Sequence, residues 1–394
     1  MVFLDRPEPD PRLPYWRLSG FYFSYFALLG GVAPFLSLYF YHLGFSAARI
    51  GELVAIPMLM RCIAPNVWGW LGDRTGQRLL IVRLGATLTA CTFAGILWRQ
   101  DYLWLALIMA LHSFFWHAVL PQFETITLHH LGNQAGRYSQ IRAWGSVGFI
   151  VTVIGLGGLM QLLGLDIYPW AMLSIMLAIV CSSLLVPAAP VSAAQHDPLT
   201  HSFFRQLRRP GVLVFFASVA LMQLSHGPYY TFLTLHLESL GYERVWIGLL
   251  WALGVVAEIV LFAVMGRLLA RFTLKSLLLW SLLIAAVRWL LLGFLSDHVA
   301  ILTFAQLLHA ATFGCFHVVA IHFVQRNFSP GSQGQGQAFY ATMAGCGGAL
   351  GALYSGYSWH TLGAGGTFAL ASLAAVVAAV LVAWRLPVQA AAAD

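Results

Sequence analysis

Twelve stretches of this chain run for about twenty residues or more with few charges. They cover residues 18–42, 50–72, 79–98, 102–131, 143–164, 167–187, 212–237, 245–266, 276–296, 299–325, 338–359 and 364–385. About 20 apolar residues, wound as a helix, cross the hydrocarbon core of a bilayer. Lipid offers backbone N–H and C=O groups no partner, so only helices and closed barrels satisfy them there. A barrel would show short strands of alternating polarity, and the sequence has no such pattern. Composition agrees: 60% of residues are hydrophobic and 9% charged, where soluble domains carry about 25% charged residues. The sequence predicts an all-α membrane protein with twelve transmembrane helices.

Lys and Arg set the expected orientation. With twelve spans both termini share one side. That side receives fourteen basic residues: Arg6, Arg12, Arg17, Arg74, Arg78, Arg137, Arg205, Arg208, Arg209, Arg267, Arg271, Lys275, Arg326 and Arg385. The other receives Arg49, Arg99 and Arg244. The bias places both termini in the cytoplasm, and the inner membrane is the expected location. It also accounts for the net charge of +7 without any nucleic-acid partner, because the basic residues are spread over short loops. Residues 1–15 are acidic and proline-containing, so the first apolar run is expected to remain as a span. The five cysteines fall inside apolar runs, and their odd number and scatter fit neither a disulfide nor a zinc framework.

The chain also repeats itself. "LGFSAARIGELV" (43–54) returns as "LGYERVWIGLLW" (240–251), an offset of 197 residues. At the same offset Gly30 falls on Gly227, Gly51 on Gly248, Gly69 on Gly266 and Arg74 on Arg271. The longest polar interruption, 188–210, divides the spans six and six. The expected organisation is an N-terminal half (1–187), a cytoplasmic linker (188–210) and a C-terminal half (211–394). Two pseudo-symmetric six-helix halves are the plan of the major facilitator fold, with substrate bound near the midplane between them. "GWLGDRTGQR" (69–78) resembles the signature loop of that superfamily. Its Gly69, Asp73, Arg74, Gly76 and Arg78 are the expected gating residues, with Asp73 accepting from nearby Arg.

Charges inside the spans are expensive, about 2.5–3.5 kcal/mol each at the bilayer centre. Five sit deep: Arg61, Glu124, Arg142, Glu258 and Arg288. Together they would cost roughly 12–17 kcal/mol uncompensated, so they must face one another or a wet cavity. Arg61 and Glu258 are themselves 197 residues apart, so the repeat aims both at the central cavity. Glu124 and Arg142 lie on antiparallel neighbours and are expected to meet.

The stretches "YSQIRAWGSVGF" (138–149), "MQLSHGPYYTF" (222–232), "LWALGVVAEIVLFAV" (250–264) and "AQLLHAATFGCFHVVA" (305–320) closely resemble the phenylpropionate permease family. That family belongs to the major facilitators and is distantly similar to lactose permease. The resemblance runs through essentially all the spans. It implies that Glu124, Arg142 and Glu258 hold substrate, and that Arg288 and His309 belong to a proton-coupling network. One departure stands out: a proton-carrying glutamate of lactose permease is replaced by Thr312. Proton coupling then falls to Glu258 with Arg288, His309, His226 and His317, since histidine titrates near neutral pH. Tyr229 and Trp144 are expected, among other aromatic residues, to stack on the ring of a substrate.

Three deep arginines against two glutamates favour an anion. The expected function is proton-coupled symport of a small aromatic carboxylate such as phenylpropionate, by alternating access, in a monomer. Partners are the organic acid, protons and the lipid bilayer; no cofactor and no metal are called for. Rival readings are a sugar or nucleoside symporter and a metabolite or drug exporter. No metal-spaced His/Cys cluster or nucleophile motif suggests an enzyme.

Overall fold

A computed structural model describes residues 13–188 and 202–387. The described residues are helical almost throughout, with no strand among them. Arg6, Arg12 and much of the 188–210 linker lie outside them.

The first helices show what the repeat encodes. Helix α1 (Tyr15–His42) meets α2 (Ala47–Thr75) through Gly44, at φ 85°. Helix α9 (Gly227–Ser239) meets α10 (Arg244–Arg271) through Gly241, at φ 86°. In the first turn Phe45 N–H donates to the Phe40 carbonyl at 3.2 Å; in the second Tyr242 N–H donates to Leu237 at 3.1 Å. Leu-Gly-aromatic is therefore a helix C-cap, with glycine in the left-handed conformation that ends a helix and satisfies its last carbonyls.

The intervening elements are α3 (Arg78–Phe93), α4 (Tyr102–Leu131), α5 (Tyr138–Leu163), α6 (Tyr168–Leu185), α7 (Ser202–Leu207) and α8 (Pro210–Ser225). After α10 come α11 (Leu274–Phe294), α12 (Val299–Leu307), α13 (Phe316–Asn327) and α14 (Gln333–Arg385). Arg83 of α3 donates to the carbonyl of Val186 at 3.1 Å and caps the C-terminal end of α6.

Ten helical runs among the described residues are long and apolar enough to cross a membrane, against the twelve expected from the sequence. Two features account for the difference. Helix α2 carries Arg49, Glu52, Arg61, Asp73 and Arg74, and these dilute its apolar character. The last two expected spans run on as one element, α14, whose regular geometry breaks at Gly363 (φ 65°, ψ −174°). The hydroxyls of Ser358 and Thr367 are 3.1 Å apart, though nine residues of straight helix would part them by about 13.5 Å. The chain folds back at Gly363, so α14 is a helical hairpin.

Buried apolar side chains gather into two clusters. One draws mainly on α1–α6 and includes Phe21, Phe123 and Tyr168; the other draws mainly on α8–α14 and includes Phe215, Trp289 and Phe323. The two groups of helices touch along α2 with α14 and along α5 with α10. Near the α1–α2 turn the contact is backbone to backbone. A Cβ at Gly51 would meet the Ala352 carbonyl at 2.6 Å, and one at Gly248 would strike the Val153 carbonyl.

Candidate functional site

Between the two groups of helices lies a cavity of about 330 Å³, within the range of small-molecule sites. Most of its wall is apolar or aromatic, with Phe26, Trp116, Phe149, Tyr230, Trp251 and Phe313 among the lining rings. Three ionisable carriers of full charge reach it: Arg61 from α2, Arg142 from α5 and Glu258 from α10.

The lining follows the repeat. Seven pairs of lining residues are 197 apart: Phe26/Gln223, Leu29/His226, Ala33/Tyr230, Val54/Trp251, Met58/Val255, Arg61/Glu258 and Trp116/Phe313. Corresponding turns of corresponding helices face the same space from opposite sides. The chemistry has diverged, with the polar member falling repeatedly in the second half.

Two local breaks aim the C-terminal side chains. Pro228 sits in the first turn of α9 and has no N–H to give, so the helix parts from α8 at His226. Between α12 and α13 a π-helical turn, Ala310–Cys315, inserts extra backbone; such turns concentrate at functional sites. It follows His309 and carries Thr312 and Phe313, whose ring stacks on His309 at 5.4 Å.

The polar core of the site is a relay. Arg288 is fully buried. It donates to the Ala305 carbonyl at 2.8 Å, to Gln306 at 3.2 Å, to Thr312 at 3.0 Å and to His309 Nδ1 at 3.1 Å. Guanidinium nitrogen only donates, so Nδ1 of His309 must accept and its proton must sit on Nε2. Nε2 lies 2.7 Å from Glu258 Oε1 and donates to it. Arg288 thus fixes the neutral tautomer of His309, and His309 holds one oxygen of Glu258. Thr312 takes part as a hydroxyl acceptor for Arg288. Among the described residues, neither Arg61 nor Arg142 forms an ion pair. The Arg142 guanidinium lies over the Phe26 ring at 3.6 Å, a cation–π contact.

A family model, that of the MFS_1 like family, matches residues 15–370. The chain belongs to this family. A probable 3-phenylpropionic acid transporter of Escherichia coli K12 is 27% identical over 91% of this chain and 94% of its own length. A maltose permease of Geobacillus stearothermophilus is 29% identical over 68% of both chains. The solved nucleoside transporter NupG superposes with a TM-score of 0.83 at 19% identity, covering 94% of this chain and 98% of that one. A peptide transporter, POT, superposes with a TM-score of 0.74 at 14% identity, covering 94% and 93%. This MFS-type chain is a multi-pass membrane protein and a secondary transporter of small molecules; its family and relatives are transporters rather than enzymes.

The residues singled out in the sequence of this MFS-type transporter fall into distinct places. Glu258, His309, His226, Arg142 and Arg61 line the cavity. Glu124 lies off it and accepts from Tyr138 at 3.1 Å. It does not meet Arg142, which turns to Phe26 instead. Trp144 also lies off the cavity: its indole donates to Tyr15 at 3.1 Å and packs against Trp16. Two residues along a helix turn the side chain by about 200°, so Arg142 and Trp144 face opposite ways. Tyr229 is buried behind the wall, bonded to Gln306 at 3.2 Å and 4.3 Å beneath Arg288; its neighbour Tyr230 takes the lining position. His317 pairs with Tyr340 at 2.9 Å, also off the cavity. In the signature loop Gly76 (φ 66°) ends α2, Asp73 pairs with Arg78, and Arg78 donates to Gln122 at 2.6 Å. Arg74 rests over Trp70, and Gly69 has open space beside it. All these contacts stay within the first group of helices.

Phe26, Trp116, His117, Gln223 and Trp251 were not anticipated as lining residues. The repeat carries a signal for several of them. Trp251 stands at the same offset from Val54 as Glu258 from Arg61.

Proposed function

We propose that this transporter takes up a small aromatic carboxylate together with a proton. The observation that carries the reading is a charge mismatch. Among the described residues two guanidinium groups, Arg61 and Arg142, reach the cavity without a carboxylate partner, while the one carboxylate lining it, Glu258, is held by His309. An arriving carboxylate supplies the missing charge, and guanidinium binds it bidentately. The rings of Phe26, Trp116 and Phe313 offer stacking faces for an aromatic body. The 27% identical relative named as a probable 3-phenylpropionic acid transporter supports the same class.

Glu258 is the proposed proton site. His309 Nε2–H donates to one carboxyl oxygen whether the group is ionised or not, so the proton resides on the other. Arg142 and Arg61 hold the acid; Arg288 and His309 position Glu258. In the proposed topology twelve spans lie in the inner membrane with both termini cytoplasmic. The halves 1–187 and 211–394 rock about the cavity, coupled by the 188–210 linker, and the working unit is a monomer.

Uptake of labelled phenylpropionate into proteoliposomes, with and without an imposed pH gradient, tests the reading. An inward proton gradient should drive accumulation. Unlabelled aryl acids should compete, and sugars and nucleosides should not. Competition by nucleosides alone would establish the second reading, which rests on a nucleoside permease relative, 24% identical over 85% of both chains, and on the Gln223 amide beside stacking rings.

A further inference from the structure

His226 is fully buried at the α8–α9 joint and lines the cavity. Its Nδ1 lies 2.8 Å from the Met222 carbonyl. A carbonyl only accepts, so Nδ1 carries the proton and Nε2 presents a lone pair. Among the described residues no group bonds Nε2. The ring itself is held firmly, stacked on Tyr230 at 5.8 Å and edge-on to Trp289 at 4.8 Å. It is an oriented acceptor that no group among the described residues donates to.

The repeat shows that this imidazole is no demand of the architecture. The corresponding lining position in the first half is Leu29, so a plain apolar side chain serves there. A buried polar atom left unpaired destabilises the fold, and a donor arriving with the cargo would relieve that. Arg142 borders the cavity from the first group of helices, and His226, whose ring is fully covered in this conformation, borders it from the second. A molecule engaging both spans the boundary that must rearrange during transport.

We propose that His226 reads a hydrogen-bond donor on the cargo, so that the preferred substrate is an aryl carboxylate with a hydroxyl or N–H group on the part remote from its carboxylate. This rests on the aryl-acid reading above and narrows it. Sites built to bond a substrate donor reject analogues lacking it far more strongly than apolar pockets reject added groups.

The test compares phenylpropionate with its 2-, 3- and 4-hydroxyphenyl analogues. Binding is followed by quenching of the cavity tryptophans, Trp116 and Trp251, in purified wild type, His226→Leu and His226→Gln. In wild type at least one hydroxy isomer should bind about tenfold or more tightly than the parent acid. His226→Leu should erase that preference, so that the hydroxy isomers and the parent acid bind within about twofold of one another. His226→Gln, which keeps an acceptor, should restore part of it and serves as the readout if the leucine variant does not fold. If wild type binds the parent acid but prefers no hydroxy isomer, or if His226→Leu keeps the preference, His226 is not the reader while the aryl-acid reading stands. If wild type binds none of these acids, both fall.

Discussion

At the scale of single residues, the site is governed by which atoms can only donate. Arg288 cannot accept, so it dictates the tautomer of His309, and His309 in turn engages Glu258. This separates positioning from proton carriage. Glu258→Gln keeps an oxygen that can accept from His309 but has no titratable proton. Downhill exchange of aryl acid should therefore survive within about threefold, while accumulation driven by a pH gradient disappears. Counterflow and gradient-driven uptake measured on the same vesicles check this; retained accumulation would move the proton site elsewhere. Charges inside apolar runs single out Glu258 and Arg288, and the family resemblance adds His309; the structure brings these three together. Glu124 and Trp144 misled, because sequence spacing fixes which residues are near but not the rotamer that sends Arg142 to Phe26, nor the face on which an aromatic side chain lands.

At the scale of elements, the helices were readable and their interruptions were not. Apolar runs of membrane length locate spans, and the glycines of the Leu-Gly-aromatic caps locate their ends. The break at His226 and the π-helical turn after His309 leave only weak traces, a Pro228 and a Gly314 among many such residues. Those interruptions decide which side chains reach the cavity. The close approach of α5 to α10 is likewise an element-scale property. Gly248 packs directly against the Val153 backbone, so Gly248→Leu must force these helices apart near the α1–α2 turn. Val54 lines the cavity. In a Val54→Cys background, Gly248→Leu should raise labelling by an impermeant maleimide added from the side of that turn by about tenfold or more, the response of a packed contact with no room for extra methylenes. Unchanged labelling would mean that this contact does not seal the cavity.

At the scale of the whole molecule, cavity positions pair at one offset across the two groups of helices, and in the proposed rocking cycle this bears on where the halves pivot. Along the α2–α14 contact Gly51 meets Gly356 at one end, and farther along Cys62 lies 3.8 Å, sulfur to sulfur, from Cys346. Cys62 is next to Arg61, near the middle of the 29-residue α2, while Gly51 is eleven residues, or about 16 Å, away. For rotation about an axis through the middle, a swing of about 15°, as in known rigid-body transitions, opens a contact that far out by about 4 Å and hardly moves one at the axis. The thiols should therefore stay together throughout the cycle. Diamide, an azo oxidant, accepts the two thiol hydrogens as the sulfur–sulfur bond forms. In a Cys91→Ser, Cys181→Ser background, which removes the exposed thiols, this should yield an internal cross-link seen by non-reducing mass spectrometry. The cross-linked transporter should still exchange aryl acid within about threefold of the reduced form, since a link at the axis leaves the rotation free. If exchange instead falls more than about tenfold and returns with dithiothreitol, α2 and α14 must separate at the cysteines during transport. The pivot would then lie away from the cavity, and the two halves could not rock as bodies about the site that Arg61 and Glu258 face.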